Sequence, residues 1–455
     1  MKKERKKEKT LSKETMILPL INQQAGAIDV GSTMMMVSYS DSQGNLHLVE
    51  KDAFTDDLTS LAKQLQEAGV EKVAMEATGV YWMVLFEILE QHGIEVSLVN
   101  PKHFKNVDGQ KTDVKDCQWL HQLHAHGLLR SSHIAPELFR ELRNFIHERN
   151  IIQKQKSDTL NRIHKLLTQM NVKFQHLISD IEGATGMKLL KGIANGITDS
   201  EQLLNLIDVS KLKASQEELQ KSLKGLYKES YRLILRHTLE AYEFYKNQMQ
   251  SYEEQIESVL KKMLPKSSPI KDTTVMKKSR YVRKNQYHIN VKDYLYKITG
   301  VDLTAIDGME EKTVLEIISV TGLEMNKWPT ANHFTSWLNL SPRPKISGGR
   351  VIGYQRRTSN NPATNCFRLA AQTMWQHKGT LGHLYRRLSY QKGSKKANKA
   401  VARRLAVIFY NMLKRKEEYD RSKLAIDTEK QTQYKIARLK KEAAKYGYSM
   451  QNIAS

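Results

Sequence analysis

Four carboxylates in the first quarter of the chain have the types and spacing that could do chemistry: Asp29 in AIDVGS, Glu76 in AMEATG, and Asp113 with Asp116 in KTDVKD. Asp29 and Glu76 stand where hydrophobic strand patterns end. Asp113 and Asp116 are three residues apart, which puts both on one face of a helix. Acidic groups gathered this way repel one another unless a cation lies between them. Mg²⁺ (or Mn²⁺) suits such a site. It takes oxygen ligands, keeps several waters and binds through a few carboxylates plus substrate phosphate. The rest of the chain carries the opposite charge, with 72 Lys and Arg against 49 Asp and Glu, a formal net charge of +23. That excess favours a polyanionic partner, because each neutralised phosphate releases counterions. An acidic metal site in a basic protein points to chemistry on nucleic-acid phosphates.

The elements that must position these acids read as α/β. AGAIDVG, MMMVSYS and LHLVEKDAF are expected strands, with the turn SDSQGN before the third. TDDLTSLAKQLQEAG is an expected helix with Thr55 as its cap and Gly69 as its stop. EKVAMEA (strand), YWMVLFEILEQHG (helix) and IEVSLVN (strand) follow. Three strands in series and then alternating helix and strand fit a mixed sheet flanked by helices. Adjacent central strands would bring Asp29 near Glu76, with a later helix adding Asp113 and Asp116, the layout of RNase H-like nucleases in which metal ions clamp the attacking and leaving oxygens.

Near Pro136 the pattern changes to long charged helices, with no glycine from Pro136 to Asp180 and apolar residues at helical spacing. A later segment around Glu218–Leu260 could complete an antiparallel coiled coil within the chain, or a second chain could cover the stripe. GATGMKLLKGIANGITD between them reads as a glycine-punctuated turn region. Residues 261–292 are basic, with aromatics alternating with cations in RYVRKNQYH. IDGMEEKTVLEIISVTG combines a glycine turn with a helix, and such a turn could present N–H groups to phosphate. The later stretches FRLAAQTMW, HLYRRLSY and KKANKAVARRLAVIFYNMLKRK read as helices.

Domain expectations follow: a basic disordered arm (1–20), a catalytic α/β domain (21–130), a helical coiled-coil region (131–260), a basic linker or insertion (261–302), a mainly helical domain (303–420) and a charged helical tail (421–455). Cys117 and Cys366 are the only cysteines and form no metal-ligand pair. The basic start MKKERKKEKT lacks the apolar core of a signal peptide, and no run is apolar enough to span a membrane. A cytoplasmic, nucleoid-associated protein is expected. Candidate nucleic-acid contacts are Lys277, Lys278, Arg280, Arg283 and Lys284; Arg343, Lys345, Arg350, Arg356 and Arg357; and Lys395, Lys396, Arg403 and Arg404.

AIDVGS, AMEATGVYW, NP and KTDVKDCQWL together resemble the RuvC-like domain of the DEDD-type insertion-sequence transposases. LNLSPRPKISGGRV resembles the C-terminal transposase domain of the same family, whose pattern is a Gly-Leu-x-Pro-like stretch with Ser-Gly five and six residues after the proline; here Pro342 precedes Ser347 and Gly348 at that spacing. Asn339 stands where that family usually has glycine, and Cys117 where it often has alanine. The resemblance spans about residues 25–415. It implies an RNase H-like catalytic domain, Mg²⁺ held by Asp29, Glu76, Asp113 and Asp116, and Ser347 as a nucleophile that becomes covalently joined to DNA. It also implies a structured guide RNA, double-stranded DNA at element ends and target, and a homo-oligomer, dimer or tetramer, with a site composed from two subunits. The competing readings are an RNase H-fold endonuclease or junction resolvase in which Ser347 takes no part, and a non-enzymatic nucleic-acid binder.

Overall fold

The computed structural model describes residues 19–100, 113–265, 285–355, 361–424 and 428–449. The chain divides into two compact units, Met1–Ile134 and Ala135–Ser455.

The first unit runs β1 (Ala25–Val30), β2 (Met34–Ser40), β3 (Leu46–Asp52), α1 (Thr55–Glu67), β4 (Lys72–Glu76), α2 (Trp82–Gln91), β5 (Glu95–Val99) and α3 (Asp113–Ala125). The sheet order is β3-β2-β1-β4-β5. The first three strands form an antiparallel meander, and β4 and β5 add in parallel. This is the mixed sheet expected from the order of patterns. Helix α1 starts at Thr55 itself, with Phe54 in the cap position and no side-chain bond. Thr55 is therefore no cap, and Asp56 and Asp57 in the first turn complement the helix dipole instead. Gly69 ends the segment in the left-handed region, φ +78°.

Alternation along β1 and β4 gives the sheet two unlike faces. Ile28, Val30, Val73 and Met75 pack with Leu58, Leu61 and Leu65 of α1 and Leu85 and Leu89 of α2. The opposite face is built from small residues, Ala27 and Ala74, which meet Leu120 of α3. Two alanines let a helix approach the strands closely, and that is the face on which the acids fall.

The second unit runs α4 (Glu137–Gln169), α5 (Ala184–Ala194), α6 (Ser200–Leu204), α7 (Gln216–Ser222), α8 (Glu229–Lys262), α9 (Val291–Thr299), α10 (Glu311–Thr321), α11 (Ala331–Trp337), β6 (Pro344–Ser347), β7 (Arg350–Tyr354), α12 (Pro362–Thr373), α13 (Thr380–Lys392), α14 (Ser394–Arg415) and α15 (Thr428–Lys445). Helices α4 and α8 lie antiparallel, so the stripe of α4 is covered from within the chain. Their far ends join a core of Ile163, Leu167, Leu235 and Leu239 with Leu189 and Ile193. Their near ends, Leu142, Ile146, Ile256 and Leu260, join the core of α9–α14. Between these cores the guanidinium of Arg149 donates to Glu253 Oε1 from Nε (2.8 Å) and Nη2 (2.6 Å). Glu253 Oε2 accepts from the His288 N–H at 2.7 Å.

One expectation is corrected here. The stretch read as a glycine-punctuated turn is largely helix α5. Its glycines answer close packing: a Cβ on Gly186 would lie 2.3 Å from Ile181 O, and one on Gly192 2.6 Å from Leu206 Cδ1. Only Gly196, φ +104°, makes a turn. In the Gly308 turn the Met309 N–H is bonded to Ile306 O at 3.0 Å, so that amide is already engaged. A Cβ on Gly308 would lie 2.9 Å from Ala370 O of α12, so the turn is packed rather than open.

Candidate active site

The register β1–β4 pairs Ile28 with Met75. One residue further along each strand stand Asp29 and Glu76, on neighbouring strands about 4.8 Å apart and on the alanine face. Glu76 is only 3% exposed. Thr78 Oγ1 donates to its Oε1 at 2.7 Å, which fixes the carboxylate plane. Asp29 precedes a tight hairpin in which Gly31 N–H bonds Met34 O at 3.1 Å. A Cβ on Gly31 would sit 2.3 Å from that same oxygen, so glycine is required there.

Helix α3 lies on this face with a buried stripe of Cys117, Leu120, His121 and His124. Asp113 is described only as the first residue of α3, one turn before Cys117. Asp116 is half-buried, one turn before Leu120. The Cys117 thiol donates to Met36 O (3.2 Å) and Ala27 O (3.4 Å). Burial, reinforced by the Asp29 charge, pushes its pKa up to about 12. His121 bonds Ser38 Oγ at 2.8 Å and Ser40 Oγ at 3.3 Å. Burial, with His124 beside it, pulls its pKa down to about 4. Thiol and imidazole are thus neutral at pH 7.

The donors on this face are carboxylate oxygens, which fit a hard cation. Among the described residues no three His, Cys, Asp or Glu side chains stand close enough to hold a metal on their own. That is compatible with Mg²⁺, whose remaining positions are taken by water and phosphate.

Ser347 occupies a different setting. It is the last residue of β6 and pairs with Arg350, the first of β7, across Gly348-Gly349. Both glycines are left-handed, φ +54° and +77°, the geometry a two-residue hairpin needs. Ser347 is thus a strand residue beside the turn, and the ribbon is an unforeseen β element in the helical region. The signal was present, since Gly-Gly between two short apolar–polar runs is a hairpin signature. At the ribbon's base Asn339 takes the left-handed conformation, φ +55°, which explains why glycine is usual there and asparagine acceptable.

Arg343, Lys345 and Arg350 are exposed on or beside the ribbon, and Lys395 and Lys396 are exposed in the first turn of α14, against the helix dipole. Arg404 is exposed, whereas Arg403 is half-buried and donates to Asn332 Oδ1 at 3.0 Å. Lys277, Lys278, Arg280, Arg283, Lys284, Arg356 and Arg357 lie outside the described residues. Among the described residues no helix is long and apolar enough to cross a membrane.

A five-stranded mixed sheet of this order, with acids on its small-residue face, is consistent with an RNase H-like catalytic domain. Comparison with protein families narrows the class: residues 27–172 match the DEDD IS110 family described as "Transposase", and residues 302–386 match "Transposase IS116/IS110/IS902 family". The chain belongs to the IS110 family of DEDD transposases, enzymes of insertion sequences that bind, cut and rejoin DNA. DEDD transposase domains are typically dependent on divalent metal. Comparison with curated protein sequences gave no match.

Proposed function

We propose that this transposase cuts and rejoins DNA by attack of Ser347 on a phosphodiester, with Asp29, Glu76, Asp113 and Asp116 holding Mg²⁺ or Mn²⁺. The observation that carries the acidic half of this reading is the β1–β4 register, which sets Asp29 beside Glu76 on the face covered by α3. A bound divalent ion would supply charge stabilisation at the phosphate. In the serine half, the Ser347 Oγ–phosphorus bond forms and the bond from phosphorus to the departing sugar oxygen breaks. That oxygen leaves with the electron pair and takes up a proton, while the serine proton passes to solvent. One phosphoester replaces another, and resealing is the same exchange reversed. The exposed ribbon supports the reading, because a hydroxyl beside a tight turn can reach a duplex. The basic excess and the family resemblance support a structured guide RNA and a homo-oligomer, dimer or tetramer.

A denaturing gel of a stalled reaction tests the mechanism. The expected result is a protein–DNA adduct in the parent protein and its absence, with recombination, in Ser347→Ala. Metal-dependent cleavage that survives Ser347→Ala without any adduct would establish the plain endonuclease instead.

A further inference from the structure

The ribbon that carries Ser347 has two chemically distinct faces, and the register assigns them. Ser347 pairs with Arg350, Ile346 with Val351, Lys345 with Gly353 and Pro344 with Tyr354, with an irregularity between Lys345 and Ile346. Paired residues share a face and successive residues along β6 alternate. One face therefore holds Ser347, Arg350, Lys345 and Gly353. The other holds Ile346, Val351, Pro344 and Tyr354. Its paired positions on the serine side contain two cations and no apolar side chain, and Ile352, at the irregularity, has no cross-strand partner. Gly353 leaves it open, since a Cβ there would meet nothing within 4 Å.

Directly opposed residues in an antiparallel pair have Cβ atoms about 5 Å apart. An arginine that close to a hydroxyl, on an exposed strand pair with no carboxylate in the ribbon sequence PKISGGRVIGY, has an anion as its natural partner. A phosphate within reach of Ser347 Oγ is within reach of the Arg350 fork, which matches two phosphate oxygens at once. From this we infer that Arg350 is a catalytic residue that clamps the non-bridging oxygens of the phosphodiester Ser347 attacks, with Lys345 reaching toward the same phosphate from two pairs further down the ribbon. The inference rests on the serine reading above. In the exchange, negative charge builds on the non-bridging oxygens as the Oγ–phosphorus bond forms and the sugar oxygen departs. Arg350 neutralises that charge and takes no part in the proton balance.

The experiment compares Arg350→Ala, Arg350→Lys and Ser347→Ala in the full-length protein. The substrate is a duplex carrying the element end with its flanking bases, supplied with the element's own transcript. A second duplex carries a single methylphosphonate at the scissile position, which removes the phosphate charge. Arg350→Ala is expected to slow adduct formation by about a hundred- to a thousandfold while binding the unmodified duplex within about threefold of the parent. Arg350→Lys should recover part of the rate. On the methylphosphonate duplex, Arg350→Ala should come within about tenfold of the parent, because the charge to be neutralised is gone. Adduct formation by Arg350→Ala at the parental rate would overturn the inference. So would a loss of rate matched by an equal loss of binding and not relieved by methylphosphonate, which marks an ordinary backbone contact. Recombination by Ser347→Ala would topple the serine reading and the inference with it, whereas failure of the arginine arms beside a Ser347-dependent adduct would remove the inference alone.

Discussion

The acidic face and the serine ribbon are supported in opposite ways. Asp29 and Glu76 sit on central strands over a closed core, Glu76 is buried, and its carboxylate takes a hydrogen bond from Thr78. Ser347 sits on two short strands whose residues are nearly all exposed, with Ile352 at 69%. An isolated two-stranded ribbon is marginal in water. Ligands for a cation must be held at fixed separations before the ion arrives, which calls for a rigid sheet. A nucleophile that has to reach into a duplex is better served by a projecting ribbon whose final fit is set by the partner. On the proposed reading, preorganisation is concentrated where charge would be held, and reach where a covalent bond would be made.

The largest effect is expected from breaking the rigid half. Asp29→Asn or Glu76→Gln keeps shape and most hydrogen bonds but removes a negative charge from the proposed cation site. Cleavage in Mg²⁺ should fall by about a thousandfold or more, while DNA binding, carried by cations elsewhere, stays within a few-fold. A variant that cleaves normally would show that the acids are structural. The same change at the ribbon should behave otherwise: Ser347→Ala abolishes the adduct yet leaves the melting temperature unchanged, because an exposed residue is cheap to truncate.

A buried ion pair among the helices of the second unit offers the next contrast. Arg149 is fully buried, joined to Glu253, and its guanidinium lies 3.9 Å over the Tyr287 ring. Nη2 also donates to Asn285 O at 3.2 Å, so the pair ties both long helices to the residues just before α9. Removing one partner leaves a buried charge. Arg149→Met should cost about 3–5 kcal/mol in urea unfolding, and adding Glu253→Leu should return much of it. A single variant as stable as the parent would mean that water reaches the site.

A smaller effect separates the units by pH. In the folded state burial holds the His121 pKa near 4, against an ordinary value of 6.5. Between those values the unfolded chain binds a proton that the folded chain refuses, so stability rises with pH across that window. Stability is fully present above about 6.5 and is lost as pH falls toward 4, by an amount on the order of 2–3 kcal/mol. His121→Gln should flatten the profile of the first unit, read by near-ultraviolet circular dichroism. An unchanged profile would assign the acid sensitivity to other groups.

What the sequence made legible follows the same division. The strands bearing Asp29 and Glu76 could be read because a half-buried mixed sheet writes alternation and apolar runs into the chain, and the strand order then follows from the sequence of elements. The supporting contacts of Cys117 and His121 were not legible, since they depend on which residues α3 meets across the sheet, and that is set by the small size of Ala27 and Ala74. Helix α5 was misread because glycines needed for close contact look in sequence like glycines needed for turns. The ribbon is hard to read for a different reason: its strands are only four and five residues long and neither face is buried, so its short alternation stands out little beside the Gly-Gly pair. The basic segment around Lys277–Lys284 lies outside the described residues.

The smallest expected effect concerns the position where this chain departs from its family's pattern. Asn339 has φ +55° and its N–H bonds Ser336 O at 3.0 Å, closing α11 before the chain enters the ribbon. Leu340 N–H and Thr364 Oγ1 fasten the same corner, to Thr335 O at 2.9 Å and Leu338 O at 2.8 Å. The left-handed conformation costs an ordinary L-residue about 1–2 kcal/mol, less for asparagine and nothing for glycine. Asn339→Gly should therefore change stability by less than about 1 kcal/mol, because relief of residual strain offsets the greater freedom glycine gives the unfolded chain. Asn339→Ala should cost about 1 kcal/mol and Asn339→Val more, since branching at Cβ crowds the following carbonyl. Adduct formation sharpens the point. If the ribbon's aim is set at this corner, Asn339→Val loses adduct faster than it loses melting temperature, and Asn339→Gly loses neither. Parallel losses in the valine variant would mean that Asn339 matters only to the fold, and that the duplex alone aims the ribbon.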